Sequence, residues 1–324
     1  MKKYFRIFML FIFSICFAGC EFSTVEINLT LKIKDNKFRI AQFADLHFGI
    51  EGERYHNADI SKTIKFMDHI VESSNPDLIV LSGDNIMNSG VNGMKKLVNI
   101  MDKYQTPWTL VYGNHDAELF VPGYSKKEIS TYLMTCKSSY LLYQHGYIED
   151  GKENRYGNFS ISIKNEFNDL IGAIILMDSG TYDYGLDKYQ EITNGQIDWY
   201  ANEIDTLQNK YDKDGVIPSI LFNHIPLDDF FSSYGNKDNE IIISQNSHMR
   251  FFDNENEESN FFKVIKEKNS TKAFFVGHTH MLKYQVKVDD LVLGFAPQTA
   301  RNQLAYVYEF DTTFAFNTIQ ITNE

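Results

Sequence analysis

Residues 78–85 read LIVLSGDN, a run of four apolar residues that gives way within two positions to Gly, Asp and Asn. A short continuous apolar run is typical of a strand buried on both faces. Before it, apolar residues within 60–71 recur at spacings of four, three and four, which predicts a helix. After it, a helix-like stretch at 94–104 leads to a second apolar run at 108–111. This alternation of strand and helix predicts an α/β fold with parallel pairing.

The flanking sequence extends the pattern into mixed sheets. Alternating apolar and polar residues at 24–33 and 38–43 predict two early strands. Thr193 and Gln196 have capping-box spacing before another helical stripe. After Met281 the pattern is nearly all strand. We therefore expect mixed sheets with helices outside them.

Composition limits the classes of function. The chain has 324 residues, 43% of them hydrophobic, and a formal charge of −12. This is globular composition, and the negative charge disfavours a surface that binds long nucleic acids. Cys16 and Cys20 lie in or beside the apolar N-terminus and Cys136 is the only other cysteine, so a disulfide framework is excluded.

The N-terminus has the pattern of an export signal. Three basic residues precede an apolar run at 7–18, and Gly19 and Cys20 follow it. The pattern resembles a bacterial lipoprotein signal, which implies cleavage of residues 1–19, a lipid on Cys20 and a membrane-anchored protein on the cell surface or periplasmic side. Phe17 stands where Leu is usual, so ordinary secretory cleavage and an uncleaved anchor stay open. No linker or internal repeat divides residues 20–324, which we expect to form a single domain.

Five segments share one arrangement, in which an apolar strand is followed at once by Asp, Asn or His. Because open α/β sheets bind ligands at the carboxyl ends of their strands, such residues can converge on one point. Carboxylate, amide and imidazole groups suit divalent ions such as Zn, Mn or Fe. The segments are Asp45-Leu46-His47, Gly83-Asp84, Gly113-Asn114-His115-Asp116, Asn223-His224-Ile225-Pro226 and Gly277-His278-Thr279-His280.

Each segment alone also has a structural interpretation. The Asp45 segment fits a polar loop, Gly83-Asp84 fits a turn, Asp116 fits a helix cap, and His224 fits a hydrogen-bonded core histidine. Two imidazoles spaced as in His278 and His280 more often mean a metal site than packing. The order and context of the five segments together carry the inference.

In that order the segments resemble the calcineurin-like metallophosphoesterase superfamily, and the resemblance spans residues 45–280. Further similarity at 176–180, 196–200 and 223–227 points to the subgroup related to purple acid phosphatases. Met87 stands where a purple acid phosphatase has Tyr, so the iron–tyrosinate colour should be absent. The resemblance implies a four-layer αββα sandwich of two mixed sheets with flanking helices.

The resemblance also implies two divalent metal ions, Mn, Zn or Fe, with Asp84 bridging both. His115 would be the general acid near the scissile bond, and Asp116 would orient its imidazole, unless Asp116 caps a helix. The implied ligands are Asp45, His47 and His280 for one ion and Asn114, His224 and His278 for the other.

Hydrolysis of a phosphomonoester or phosphodiester follows as the expected reaction, with a metal-bridged hydroxide attacking in line. Two alternatives stay open: a nuclease or cyclic-nucleotide phosphodiesterase of the same superfamily, and a non-catalytic surface-binding lipoprotein. The expected partners are a phosphate-ester substrate and, through the lipid anchor, a membrane; no protein partner is evident. Five aromatic residues would either line a substrate pocket or pack inside the protein: Tyr182, Tyr184, Phe230, Phe231 and Tyr234.

Overall fold

The computed structural model describes residues 29–49, 59–118, 121–151, 153–244, 258–302 and 304–322. The leader and Cys20 lie outside the described residues. The strands are β1 (Thr30–Lys32), β2 (Phe38–Phe43), β3 (Leu78–Ser82), β4 (Trp108–Val111), β5 (Ile148–Asp150), β6 (Glu153–Arg155), β7 (Phe159–Lys164), β8 (Leu170–Leu176), β9 (Tyr182–Asp183), β10 (Lys188–Tyr189), β11 (Ser219–Phe222), β12 (Glu240–Ser244), β13 (Thr271–Val276), β14 (Tyr284–Val288), β15 (Leu291–Phe295), β16 (Leu304–Phe310) and β17 (Phe316–Thr322).

Among the described residues, four helices begin at polar residues whose side chains cap them. Ser125 and Thr193 each form a capping box, the second at the Thr193–Gln196 spacing seen in the sequence. Asp59 caps the first helix by accepting from the Lys62 amide. The helices are α1 (Ile60–Ser74), α2 (Gly90–Met101), α3 (Lys126–Thr135), α4 (Asn194–Gln208), α5 (Asp228–Gly235), α6 (Asn260–Lys268) and α7 (Thr299–Asn302).

Two mixed sheets contain most of the strands. One has the order β17-β16-β2-β3-β4, with parallel pairing from β2 through β4. The other has the order β1-β7-β8-β11-β13-β15-β14-β12, with parallel pairing from β8 through β15. Two short ribbons, β5–β6 and β9–β10, lie outside these sheets.

The sheets pack face to face. The rings of Phe275 on β13 and Tyr308 on β16 stack with centroids 3.9 Å apart, and Phe222 on β11 also contacts Tyr308. On the outer face of the five-stranded sheet, α1 and α2 bury apolar residues such as Phe66 and Leu97 in the same core.

A second apolar core covers the other face of the eight-stranded sheet. Tyr200 and Ile204 of α4 and Phe261 and Ile265 of α6 pack there with residues such as Phe274 of β13. Each sheet is thus covered by helices on its outer side, which confirms the predicted αββα sandwich.

This packing brings the ends of the parallel strands together. The loops after β2, β3 and β4 of one sheet meet the loops after β11 and β13 of the other. Nδ1 of His224 lies 2.9 Å from the Ser82 carbonyl oxygen, and the His278 amide donates to Asp45 Oδ1 at 3.2 Å. Within the described ranges, no helix has the length and apolarity needed to cross a bilayer.

Candidate dinuclear metal centre

Asp84 lies at the centre of the converging loops and belongs to two groups of potential metal ligands. One group offers ligand atoms from Asp45, His47, Asp84 and His280, and the other from Asp84, His224 and His278. Within each group these atoms lie within 4.8 Å of one another. The structure therefore brings six of the seven sequence-predicted ligands into two adjoining groups that share one carboxylate.

The separations are those of groups gathered around cations. His224 Nε2 lies 3.2 Å from Asp84 Oδ2, and His280 Nε2 lies 3.4 Å from Asp45 Oδ1. The Nε2 atoms of His47 and His280 are 3.1 Å apart. Carboxylate oxygens and imidazole nitrogens at these distances suit divalent transition metals.

Two buried oxygens test whether metal fits here. Asp45 Oδ2 and Asn114 Oδ1 have no hydrogen-bond partner among the described residues, although Asp45 is fully buried and Asn114 is 3% exposed. A buried polar atom without a partner is costly, and a cation would satisfy it. The seventh predicted ligand, Asn114, thus has a buried oxygen that a cation would satisfy. The donor set fits two metal ions.

His224 is oriented by the opposite sheet. Its Nδ1 lies 2.9 Å from the carbonyl oxygen of Ser82, the residue that ends β3. With Nδ1–H donating to this carbonyl, the neutral form of the ring has its lone pair on Nε2, which faces Asp84. The polypeptide thus selects the tautomer that a metal ligand needs.

Four residues of the cluster have a strained backbone conformation. Asp45, His47, Asp84 and His278 all have positive φ, between 47° and 68°. For residues other than glycine this conformation costs free energy and persists only when the surroundings impose it. Its recurrence at four residues of one cluster is typical of a functional site.

Glycine precedes Asp84 and Asn114 because the loops approach each other closely. A Cβ on Gly83, whose φ is +93°, would lie 2.4 Å from the ring of His224. A Cβ on Gly113 would lie 2.2 Å from Asp84 Oδ1. The glycines of these two sequence segments therefore provide the space that the site side chains occupy.

Burial keeps two of the imidazoles neutral. It lowers the pKa of His47 and of His278 to about 4 in each case, against the raising effect of Asp84 and Asp45. Burial also lowers the pKa of His224, but Asp84 and Asp45 outweigh it and raise that pKa to about 9. Without cations, a proton on His224 balances part of the carboxylate charge.

His115 lies at the edge of the cluster. Its Nε2 is 3.9 Å from Asp84 Oδ2, and its backbone amide donates to Asp84 Oδ1 at 2.8 Å. Its Nδ1 lies 2.7 Å from Oε1 of Glu118. The ring therefore presents one nitrogen to the cluster and holds the other against a carboxylate.

The prediction that Asp116 orients this imidazole is wrong. Asp116 Oδ2 accepts from the Gly113 amide at 2.7 Å, and Oδ1 accepts from the Ile86 amide at 2.9 Å. Asn85 Nδ2 also donates to Asp116. The carboxylate thus caps the loop after β4 and connects it to the loop after β3. This role is close to the alternative interpretation, in which Asp116 caps a helix.

Glu118 and Tyr189 were not predicted as site residues. The three-residue spacing of His115 and Glu118, which matches one helical turn, was a usable signal for Glu118. Tyr189 lies far from the ligand segments in sequence, yet its ring centroid is 4.4 Å from that of His278. Only tertiary structure shows this contact.

The aromatic residues considered as pocket walls divide into two groups. Phe230 is buried, Phe231 packs on Phe295, and Tyr234 packs on Tyr284. These three follow the packing interpretation. Tyr182 and Tyr184 instead lie in the β9–β10 ribbon beside Tyr189.

Comparison with known proteins agrees with this geometry. A family model described as calcineurin-like phosphoesterase matches residues 38–282. Among curated Arabidopsis thaliana proteins, probable inactive purple acid phosphatase 29 is 26% identical, with 76% of this chain and 68% of that protein covered. Probable inactive purple acid phosphatase 14 is 25% identical, with 87% of this chain and 76% of that protein covered.

The fold also matches a solved structure. The crystal structure of a dimetal phosphatase from Danio rerio aligns with a TM-score of 0.52 at 9% identity, covering 89% of this chain and 99% of that one. At this identity the match speaks for the fold alone.

Proposed function

The chain belongs to the calcineurin-like phosphoesterase family, and from this premise we propose that it hydrolyses phosphate esters with two divalent metal ions at the Asp84-centred cluster. The observation that carries the proposal is the sharing of Asp84 by two groups of ligands. A carboxylate held in common places two cations side by side, the arrangement used for in-line displacement at phosphorus.

Each predicted ligand has a place in this arrangement. Asp45, His47 and His280 would hold one ion; Asn114, His224 and His278 would hold the other. When bound, the ions supply Lewis acidity toward the phosphoryl oxygens and lower the pKa of water. The native pair of metals is proposed from the donor set as Mn, Zn or Fe.

His115 acts on the leaving group. As a general acid it donates its Nε2 proton to the departing oxygen, a role worth about 10²–10⁴-fold in rate. Glu118 holds the opposite nitrogen at 2.7 Å and stabilises the protonated ring. The buried Asp116 keeps the loop that carries both residues in place.

Substitution of Asp84 tests the site. Asp84→Asn removes the charge that both ions share, so bound metal and turnover should fall by about 100-fold or more. This loss exceeds that seen when a residue that only hydrogen-bonds to a metal ligand is replaced. Asp214→Asn, at an exposed loop position, is the control. Metal content by elemental analysis and hydrolysis of p-nitrophenyl phosphate and its bis ester with added Mn or Zn are the measurements. Unchanged turnover in Asp84→Asn would refute the site.

A non-catalytic binding protein is the second candidate, because both plant relatives carry the word inactive in their names. That word describes those proteins. In this chain all seven ligand positions hold Asp, Asn or His. The test is a panel of monoesters, diesters, cyclic nucleotides and oligonucleotides. If the metal-loaded protein hydrolyses none of them, this candidate is favoured. The same panel separates phosphatase from nuclease activity.

The location of the protein is a proposal from sequence. A lipid on Cys20 would hold residues 20–324 at a membrane on the exported side, with secretion as the alternative. Mass spectrometry of the mature N-terminus tests it. A diacylated Cys20 supports anchoring, and an unmodified N-terminus elsewhere contradicts it.

A further inference from the structure

An exposed aromatic ribbon lies beside the proposed metal centre. It consists of β9, β10 and the turn between them, residues 182–189, and is called the tyrosine ribbon below. Tyr184 is 70% exposed, Leu186 66% and Tyr189 39%. Large apolar side chains gathered on a surface often mark a binding site.

The rings of the ribbon form a continuous series that starts at a proposed metal ligand. Tyr189 packs edge to face on His278 at 4.4 Å. Tyr182 packs on Tyr189 at 5.0 Å, and Tyr184 packs on Tyr182 at 5.1 Å, both near perpendicular. The series therefore leads from the metal centre outward to solvent.

The proposed metal centre is open to solvent at two of its histidines. The side chains of His115 and His280 are each 21% exposed, whereas those of His47 and His224 are fully buried. Solvent thus reaches the cluster past His115 and His280.

The base of the ribbon is held firmly. The side-chain carbonyl of Gln190 accepts from Arg155 Nη1 at 2.5 Å and from the Thr181 amide at 2.9 Å. Arg155 is 2% exposed. Lys126, also buried, donates to the Gly180 carbonyl at 3.0 Å. A rigid base fixes the tyrosines in place before a ligand arrives, which lowers the entropy cost of binding.

We propose that the tyrosine ribbon is a leaving-group subsite for phosphate esters whose leaving group carries a planar aromatic ring. Tyrosine rings stack on flat π systems through their electron-rich faces, and such stacking tolerates different ring types. Aryl esters and nucleotides share this chemistry. The proposal rests on the phosphoesterase function proposed above and adds the substrate class to it.

Tyr184→Ala tests the subsite, because Tyr184 is exposed and does not contact the metal ligands directly. Three substrates are compared: p-nitrophenyl phosphate, adenosine 5′-monophosphate and the aliphatic glycerol 2-phosphate. We expect kcat/KM for at least one aromatic substrate to fall about 5- to 100-fold, the scale of a lost aromatic stack, mainly through KM. Hydrolysis of glycerol 2-phosphate should stay within about twofold, and Tyr184→Phe should retain wild-type values.

A matched control removes an aromatic residue elsewhere. Phe167 is 77% exposed and precedes the start of β8, about 20 Å of strand away from the end that faces the site. Phe167→Ala should leave all three substrates unaffected.

Binding gives a second measurement that does not depend on turnover. Calorimetry of phenylphosphonate and ethylphosphonate with the metal-loaded protein should show a preference for the phenyl compound that Tyr184→Ala abolishes. If Tyr184→Ala lowers kcat/KM equally for aromatic and aliphatic substrates, or lowers it for neither, the subsite is overturned and the phosphoesterase function is left intact. Failure of the wild-type protein to hydrolyse any of the three esters, with no preference for phenylphosphonate over ethylphosphonate, would overturn the subsite; the phosphoesterase function is overturned only if the diesters and cyclic nucleotides of the panel above are not hydrolysed either.

Discussion

Glu118 holds His115 in place: its Oε1 lies 2.7 Å from Nδ1 of the imidazole, within the single helical turn that follows β4. Burial lowers the pKa of His115, but Glu118 and Asp84 outweigh burial and raise it. A raised pKa keeps the ring protonated closer to neutral pH, as a general acid requires.

Replacement of this carboxylate should therefore alter the pH profile. Glu118→Gln removes the charge that raises the pKa of His115, so the general acid loses its proton at lower pH. We expect the alkaline limb of kcat to shift to lower pH and activity at neutral pH to fall about tenfold, since a hydrogen bond between charged groups is worth about 1.5–3 kcal/mol.

Asp116→Asn is the contrasting variant. Its carboxylate binds the amides of Gly113 and Ile86, so its loss should lower stability and leave the alkaline limb in place. If the alkaline limb of kcat shifted in Asp116→Asn but not in Glu118→Gln, Asp116 and not Glu118 would be the residue that orients His115.

A single methyl group at Gly113 should disable the site without changing any ligand. The Cβ of Gly113→Ala would lie 2.2 Å from Asp84 Oδ1, so Asp84 must move. We expect metal content and activity to fall together, with a stability loss of about 1–3 kcal/mol from overpacking. Elemental analysis and urea unfolding measure these effects. Gly235→Ala, whose Cβ meets nothing within 4 Å, should behave as wild type.

Metal binding should release a proton from His224. Its pKa in the metal-free protein is about 9, so at pH 7.5 it is mostly protonated and must become neutral to bind an ion. His47 and His278, with pKa values near 4, are already neutral and release none. Calorimetric enthalpies at pH 7.5 should vary with the ionisation enthalpy of the buffer, and this variation should fall to about half at pH 9, where half of the rings are already neutral. Buffer-independent enthalpies at pH 7.5 would contradict the protonated state.

The buried pair Lys126–Asp178 should contribute strongly to stability. Lys126 Nζ lies 2.5 Å from Asp178 Oδ1, and both side chains are buried. Lys126→Met leaves the carboxylate of Asp178 buried without its partner, a change that costs about 3–5 kcal/mol. Urea unfolding measures the loss, and the exposed neighbour Lys127→Met should stay within about 0.5 kcal/mol of wild type. Equal stability of the two variants would refute a structural role for the pair.

Much of the fold was predictable because its signals are local. The apolar runs at 78–81 and 108–111 became buried parallel strands, and the Thr193–Gln196 spacing became a capping box. The same strand ends supplied the polar residues that gather around Asp84. Strand ends could be recognised because the change from apolar to polar residues marks both the end of a buried strand and the start of the loop that follows it.

The error at Asp116 shows the limit of that reasoning. Asp116 is next to His115 in sequence, but adjacent side chains in a helical turn point in different directions, whereas residues three apart face each other. Asp116 therefore turns to the backbone amides of Gly113 and Ile86, and Glu118 reaches the imidazole.

By itself the sequence determined the central strands, several of the helices, the family and the residue types that gather at the strand ends. Only the tertiary structure decided which atoms meet: the Ser82 carbonyl that orients His224, and Tyr189 against the ring of His278. These contacts join residues more than 80 positions apart on different elements. Their geometry depends on how two sheets pack face to face, and no local pattern of residues encodes that packing.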